Sequence, residues 1–125
     1  MTVLCDTSVI VDILRGHPLA MAYARGLERP PVCSEITRVE VLRGLRSHER
    51  RATERLFGAL VWIGVDEAIA RRAGELGRAF RRSHQGIATA DLLIAATVQE
   101  FGHDLATLNI RHFPMFPDLL APYEP

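Results

Sequence analysis

The sequence predicts an α/β protein in which a parallel sheet of four to five strands carries helices on both faces. Two observations predict it. Short apolar runs that suit strands alternate with stretches of 3.6-residue apolar spacing that suit helices, and this alternation is the pattern of a parallel sheet with right-handed crossovers. The chain has 125 residues, 48% of them hydrophobic, which is enough for a single domain (1–125) with its own core and no structural disulfide or metal.

Val3, Leu4 and Cys5 form an apolar run too short for a helix. Asp6-Thr7-Ser8 supply capping residues, and Val9, Ile10, Ile13 and Leu14 follow at helical spacing. Asp6 therefore ends a strand and opens a helix. Gly16-His17-Pro18 breaks that helix, and Pro18 suits the first turn of a second one reaching about Leu27. Pro30-Pro31 forces a loop. Val32-Cys33 is the second strand and Ser34 a cap. Ile36, Val39, Leu42 and Leu45 stripe a helix from Glu35 to about Arg46. Ser47-His48 separates it from a basic helix, Glu49 to Leu60. The run from Val61 to Val65 is the third strand. Asp66 caps a helix carrying Ile69, Ala73 and Leu76 that runs to about Arg82, and residues 83–86 form a loop. Thr89 caps a helix from Ala90 to Phe101. Its centre, Leu92 to Val98, is almost wholly apolar and so buried, and Gly102 stops it. Leu105 to Leu108 is the fourth strand. The proline-punctuated tail, with Phe113, Phe116, Leu119 and Leu120, leaves room for a short edge strand.

Charge and composition narrow the functional classes. Net charge is zero, which argues against indiscriminate nucleic-acid binding, and every basic residue counted among the fifteen is arginine. Ten of these arginines lie between Arg43 and Arg82 beside only five acids, a local positive excess. Arginine forks suit phosphates, so the segment reads either as a phosphate-binding face or as a solvated helical surface with pairs such as Arg50–Glu54. No apolar run approaches the ~18 residues of a membrane span. No basic region precedes the first apolar run, so no secretory signal is expected and the cytoplasm is the expected location. Cys5 and Cys33 read as buried free thiols, and there is no CxxC. The five histidines show no metal-ligand spacing and read as surface residues. Asp12 and Asp104 read as solvent-facing or loop acids.

Three carboxylates occur where carboxylates are awkward. Asp6 ends a buried strand, Glu40 shares a helix face with Ile36, and Asp91 opens the most apolar helix on the face of Ile94, Ala95 and Val98. An acid on an apolar face loses solvation, and acids near one another repel. A hard divalent cation answers both problems and keeps waters that phosphate oxygens can replace. Asn109, just after the fourth strand, points toward the same end of the sheet. Each residue has a plainer role available. Asp6 suits an N-cap, Glu40 a capping box with Thr37, Asp91 the positive end of its helix, and Asn109 a turn.

These motifs resemble the PIN-domain ribonucleases, specifically the small VapC-type toxins of bacterial toxin–antitoxin pairs. The resemblance rests on Asp6-Thr7-Ser8, on Thr37-Arg38-Val39-Glu40-Val41-Leu42-Arg43-Gly44, on Ala90-Asp91-Leu92-Leu93-Ile94-Ala95-Ala96-Thr97, and on the stretch from Leu105 to Phe113, in that order along nearly the whole chain. It implies a three-layer α/β/α sandwich, a homodimer, and an antitoxin partner that blocks the site. It maps metal-binding and catalytic acids onto Asp6, Glu40 and Asp91. The family's fourth polar position, often Asp, falls on Asn109, and its hydroxyl beside the first acid falls on Ser8. The implied reaction is hydrolysis of an RNA phosphodiester with Mg²⁺ or Mn²⁺, with arginines from Arg43 onward on the RNA backbone.

Two rivals remain. A phosphatase of the haloacid dehalogenase type also has a strand-end Asp, but Ser8 stands where its second Asp belongs, and a chain without lysine cannot supply its lysine. A non-catalytic RNA- or protein-binding module would use the acids as caps. The eight Phe, Trp and Tyr residues lie mostly in apolar or tail positions, which is poor material for stacking platforms.

Overall fold

The computed structural model of the protein describes residues 2–84 and 86–125. Among these residues the sheet has four strands, all parallel, in the order β3-β2-β1-β4. The strands are β1 (Val3–Cys5), β2 (Val32–Ser34), β3 (Val61–Ile63) and β4 (Asp104–Ala106). The helices are α1 (Thr7–Leu14), α2 (Pro18–Arg25), α3 (Glu35–Arg43), α4 (Arg50–Gly58), α5 (Glu67–Phe80) and α6 (Thr89–Phe101).

Alternation along the strands builds the two outer layers. Cys5, Cys33 and Ala106 face one side and pack with Val9 and Ile10 of α1, Val41 of α3 and Phe57 of α4. Leu4 and Val32 face the other side and pack with Ile94, Ala95 and Val98 of α6 and with Phe113. α5 lies outside α6, joined through Ile69, Ala73 and Ala96. The middle of α6 is buried all round, as its composition predicts, because it lies between the sheet and α5. The expected α/β/α sandwich is the observed architecture.

Element boundaries shift where pairing, rather than composition, decides. β3 stops at Ile63, the partner of Ser34, so Gly64 and Val65 are exposed beyond the sheet. β4 begins at Asp104, opposite Val3, and ends at Ala106, opposite Cys5; Thr107 and Leu108 leave the ladder. α3 ends at Arg43, three residues earlier than the apolar stripe predicts, because Gly44 takes the C-cap. α6 starts at Thr89 with Ala88 in the N-cap position, so the cap expected from Thr89 is absent. The tail adds no strand among the described residues. It makes a 3-10 turn at Ile110–His112 and then inserts Phe113, 1% exposed, against the sheet. Ser34 and Asp66 cap α3 and α5 as expected. His17 caps α2 by accepting from the Leu19 N–H, a role its reading as a surface residue did not include.

The thiols of Cys5 and Cys33 are free and buried. Burial, and secondarily Asp6, push the Cys5 thiol up to about 12, so it behaves as an inert core group. Tyr123 ties the C-terminal tail to α1 by donating to Asp12 at 2.9 Å, so Asp12 is an anchor rather than a free surface acid.

Ile94 sits at 0% exposure between sheet and helix, one turn beyond Asp91. Ile94→Ala should cost about 2–5 kcal/mol through reduced burial and an unfilled cavity. For a chain of this size that should lower the melting temperature by about 8 °C or more in a calorimetric scan.

Candidate active site

The sheet order places a topological switch point between β1 and β4. The connection from β1 runs to β2 on one side, while β4 lies on the other side. In parallel α/β sheets the crevice outside the carboxyl ends at such a point is the usual ligand site. Asp6 follows β1 at that edge and is 2% exposed. It occupies the N-cap position of α1, yet its side chain makes no capping bond. Its Oδ2 instead accepts from Ser8 Oγ at 2.8 Å and from Thr107 Oγ1 at 2.7 Å. Those hydroxyls accept in turn from the backbone N–H groups of Leu108 at 3.2 Å and Asn109 at 3.0 Å. Among the described residues no fully buried side-chain oxygen lacks a partner, so Oδ1, which takes no bond, is the oxygen that remains accessible.

Glu40 on α3 is held the same way. Its Oε1 accepts from Thr7 Oγ1 at 2.7 Å, and Thr7 Oγ1 lies 3.0 Å from Thr37 Oγ1. The single Thr7 proton goes to the carboxylate, so Thr37 donates to Thr7. The capping box between Thr37 and Glu40 does not form, because Ser34 is the N-cap of α3 and Thr37 sits inside it. Asp91, in the first turn of α6, has Oδ2 3.1 Å from Nδ1 of His112. Each carboxylate thus has one oxygen held by a neighbour and one left over.

Asp6, Glu40 and Asp91 line one crevice of about 360 Å³, together with Thr7, Ser8, Asn109 and His112. All the sequence-predicted site residues are there. Asn109 lies at the rim and is exposed. Ser8 is present, but its proton goes to Asp6 and one lone pair takes the Leu108 N–H, which makes it a positioning group for the carboxylate. Among the described residues no three His, Cys, Asp or Glu side chains stand close enough to enclose a cation unaided. The donor set nevertheless fits a hard, partly hydrated divalent ion, since its groups are oxygens, those of Asp6 and Glu40 oriented by hydroxyl hydrogen bonds and that of Asp91 by its contact with His112. The electrostatics agree with that chemistry. Burial first, then the charges of Asp6 and Glu40, raise the Asp91 carboxyl above its ordinary value, while His112 pulls it down.

His112 reads from the sequence as a surface residue, and the structure brings it to Asp91. Its spacing from the acids carries no signal, because the turn at Ile110–His112 delivers it. The threonines escape a sequence reading for the same reason: Thr107 lies 101 residues from the carboxylate it serves. Among the basic residues, Arg38 belongs to the scaffold. It forks onto Glu35 at 2.6 and 3.2 Å, and its guanidinium carbon lies 3.9 Å from the Trp62 ring centroid. Arg71 pairs with Glu67 and Arg72 with Glu100. The Arg50–Glu54 pair is absent among the ion pairs of the described residues.

The class follows from the whole chain. Residues 3–115 match the model of the PIN domain, and the chain belongs to that family. Within it, the chain is similar to VapC-type members. It is 48% identical over 123 residues to Ribonuclease VapC19 of Mycobacterium tuberculosis, covering 96% of this chain and 98% of that one. It is 39% identical over 123 residues to Ribonuclease VapC10 of the same species, covering 97% and 92%. A solved toxin-antitoxin complex from Klebsiella pneumoniae holds a chain matching at a TM-score of 0.84 and 25% identity, covering 100% of both.

A raised carboxyl means that the folded protein holds the Asp91 proton more tightly than the unfolded chain does. Ionisation therefore costs stability, and the penalty grows as pH climbs above the ordinary value of 3.8. Without metal, Asp91→Asn should melt higher than the parent at pH 7, with the advantage gone by about pH 3.5, below the unfolded value. Added Mg²⁺ should then stabilise the parent more than the variant. Equal Mg²⁺ stabilisation of both would remove Asp91 from the set of metal ligands.

Proposed function

We propose that this protein is the toxin of a toxin–antitoxin pair and that it hydrolyses RNA phosphodiester bonds at the Asp6–Glu40–Asp91 crevice with a divalent metal. The observation that carries the reading is the convergence of three carboxylates, each with one oxygen tethered and one free, at the switch point of a PIN-domain sheet. Relatives named as ribonucleases and a structural neighbour named as a toxin–antitoxin complex support it. The cation is Mg²⁺, with Mn²⁺ as the alternative. The protein partner is an antitoxin that covers the crevice, the assembly is a homodimer, and the location is the cytoplasm. No helix among the described residues is long and apolar enough to cross a membrane.

Asp6 and Asp91 are the main metal ligands, with Glu40 binding directly or through water. When bound, a hard divalent cation supplies Lewis-acid polarisation of the phosphate and acidifies a coordinated water. The protein's own groups do the rest. Ser8 and Thr107 hold Asp6 so that Oδ1 faces the crevice, and Thr7 and Thr37 do the same for Glu40. Glu40 orients the attacking water. His112 fixes the Asp91 rotamer. Asn109 offers a neutral amide to water or phosphate at the rim.

Sequencing of RNA ends after a short pulse of expression tests the reading, with Asp6→Asn as control. New ends should appear with the parent chain and be absent with the variant. End profiles identical in both would overturn the ribonuclease assignment.

Asn109 sets the metal requirement. A carboxylate there would attract a further cation, whereas an amide contributes only a dipole. With three acids, the free protein should hold one metal firmly and a second only once substrate phosphate adds charge. Asn109→Asp should therefore tighten metal binding in calorimetric titration and shift the Mg²⁺ dependence of cleavage to lower concentration. The maximal rate need not rise, because tighter ground-state binding does not lower the chemical barrier. Unmoved curves would withdraw Asn109 from the metal crevice.

A further inference from the structure

A second depression, of about 210 Å³, opens off the carboxylate crevice, and a third, of about 310 Å³, opens beyond it. The second shares Ala88, Asp91 and His112 with the crevice, and it shares His84, Gly86 and Ile87 with the third. The three form one track from the carboxylates, past the loop before α6, to the C-terminal end of α5. Its lining changes character along the way. Beyond Asp91 no acid lines it among the described residues. Arg111 stands beside the second depression and Arg81 beside the third. Both are exposed, and neither joins an ion pair among the described residues. Ile87 supplies an apolar surface to both depressions, and Leu92 adds to the third. At Gly77 an added Cβ would come within 3.0 Å of Leu92 Cδ1, so α5 approaches α6 closely there because that position carries no side chain.

The other side of the crevice is different. Beyond Glu40 lies a depression of only about 70 Å³, where Arg15 and Glu49 neutralise each other at 3.5 Å.

We propose that the basic track seats the nucleotides next to the scissile phosphate, on one side of it, with Arg111 and Arg81 on successive backbone phosphates and a base against Ile87 and His84. The proposal rests on the ribonuclease reading and deepens it. An acidic centre repels the rest of the strand, so substrate must gain its affinity on surfaces that leave that centre. Arginine forks match phosphate oxygens. The second depression, at about 210 Å³, is smaller than the roughly 300–1,000 Å³ of drug-sized pockets and suits a single nucleoside. Ring and aliphatic surfaces hold bases with little sequence demand. Of the ten arginines between Arg43 and Arg82, the track selects Arg81, and it adds Arg111 from outside that segment.

The probe is a fluorescent, mixed-sequence, single-stranded ten-nucleotide RNA, with anisotropy read across salt concentrations on the full chain. The background is Asp6→Asn with Mg²⁺, which prevents cleavage. Should that variant not fold, the unsubstituted chain with EDTA takes its place. Arg81→Gln with Arg111→Gln should flatten the slope of log K against log salt by about 1.4, which is about 0.7 for each phosphate no longer neutralised. Arg46→Gln with Arg50→Gln, which line none of the three depressions, should leave it in place. A slope unmoved by the first pair overturns the track, even where the parent chain cleaves RNA. A flattened slope supports the track, even where cleavage is absent and the ribonuclease reading fails. Weaker antitoxin affinity with RNA binding unmoved would also overturn the proposal and give these arginines to the protein partner.

Discussion

The structure depends on keeping one nearly inaccessible carboxylate hydrogen-bonded. Asp6 is 2% exposed, and a buried acid without partners would cost several kcal/mol. Local sequence cannot supply both donors. Ser8 provides one, and the other comes from Thr107 across the sheet, itself oriented by the Asn109 N–H. This requires β4 to lie beside β1 and to end level with it. The register Cys5 to Ala106 and the bond from the Asp6 N–H to the Ala106 carbonyl at 2.9 Å meet both conditions. Fold topology and site geometry are therefore coupled. A sheet with β4 elsewhere would leave Asp6 half satisfied and would also remove the crevice.

The second constraint is repulsion. Three acids around one crevice raise the cost of ionising the last of them, and Asp91 shows it. Hydroxyl hydrogen bonds to Asp6 and Glu40, and the His112 contact with Asp91, offset part of the cost and each engage one oxygen of the carboxylate. They do not remove it, because hydroxyl and imidazole groups bring less positive charge than the acids bring negative. A folded state that tolerates this residual repulsion is suited to a cation, at the expense of stability in its absence.

The acids are legible in the sequence because they break apolar patterns. Asp91 opens a helix whose centre is almost wholly apolar and buried, Glu40 lies on the face of Ile36, and Asp6 ends a strand. Two of the plainer alternatives fail on geometry, since Asp6 makes no capping bond and the Thr37–Glu40 box does not form, whereas Asp91 does lie in the first turn of α6, at the positive end of its helix. The partners are not legible. Thr7 meets Glu40 and Thr37 only because α1 packs on α3, and His112 reaches Asp91 only through the turn before Phe113. A threonine that holds a carboxylate looks the same in sequence as one that caps a helix. Strand limits differ from the sequence expectation by one or two residues for a related reason. Composition says which residues suit a strand, whereas the partner strand says where pairing ends.

The presence of an amide at Asn109 makes physical sense within these limits. The crevice holds its carboxylates with Ser8, Thr107, Thr7 and His112, and each of these is already committed to one acid. Asn109 spends its backbone N–H on Thr107, one step behind Asp6, and keeps its side chain at the exposed rim. An acid there would add charge with none of these donors free to orient it, beside an Asp91 that already ionises with difficulty. A neutral amide retains hydrogen-bonding capacity without adding to the repulsion. The cost falls on cation affinity, because the charge absent from the protein must come from the phosphates of whatever occupies the crevice.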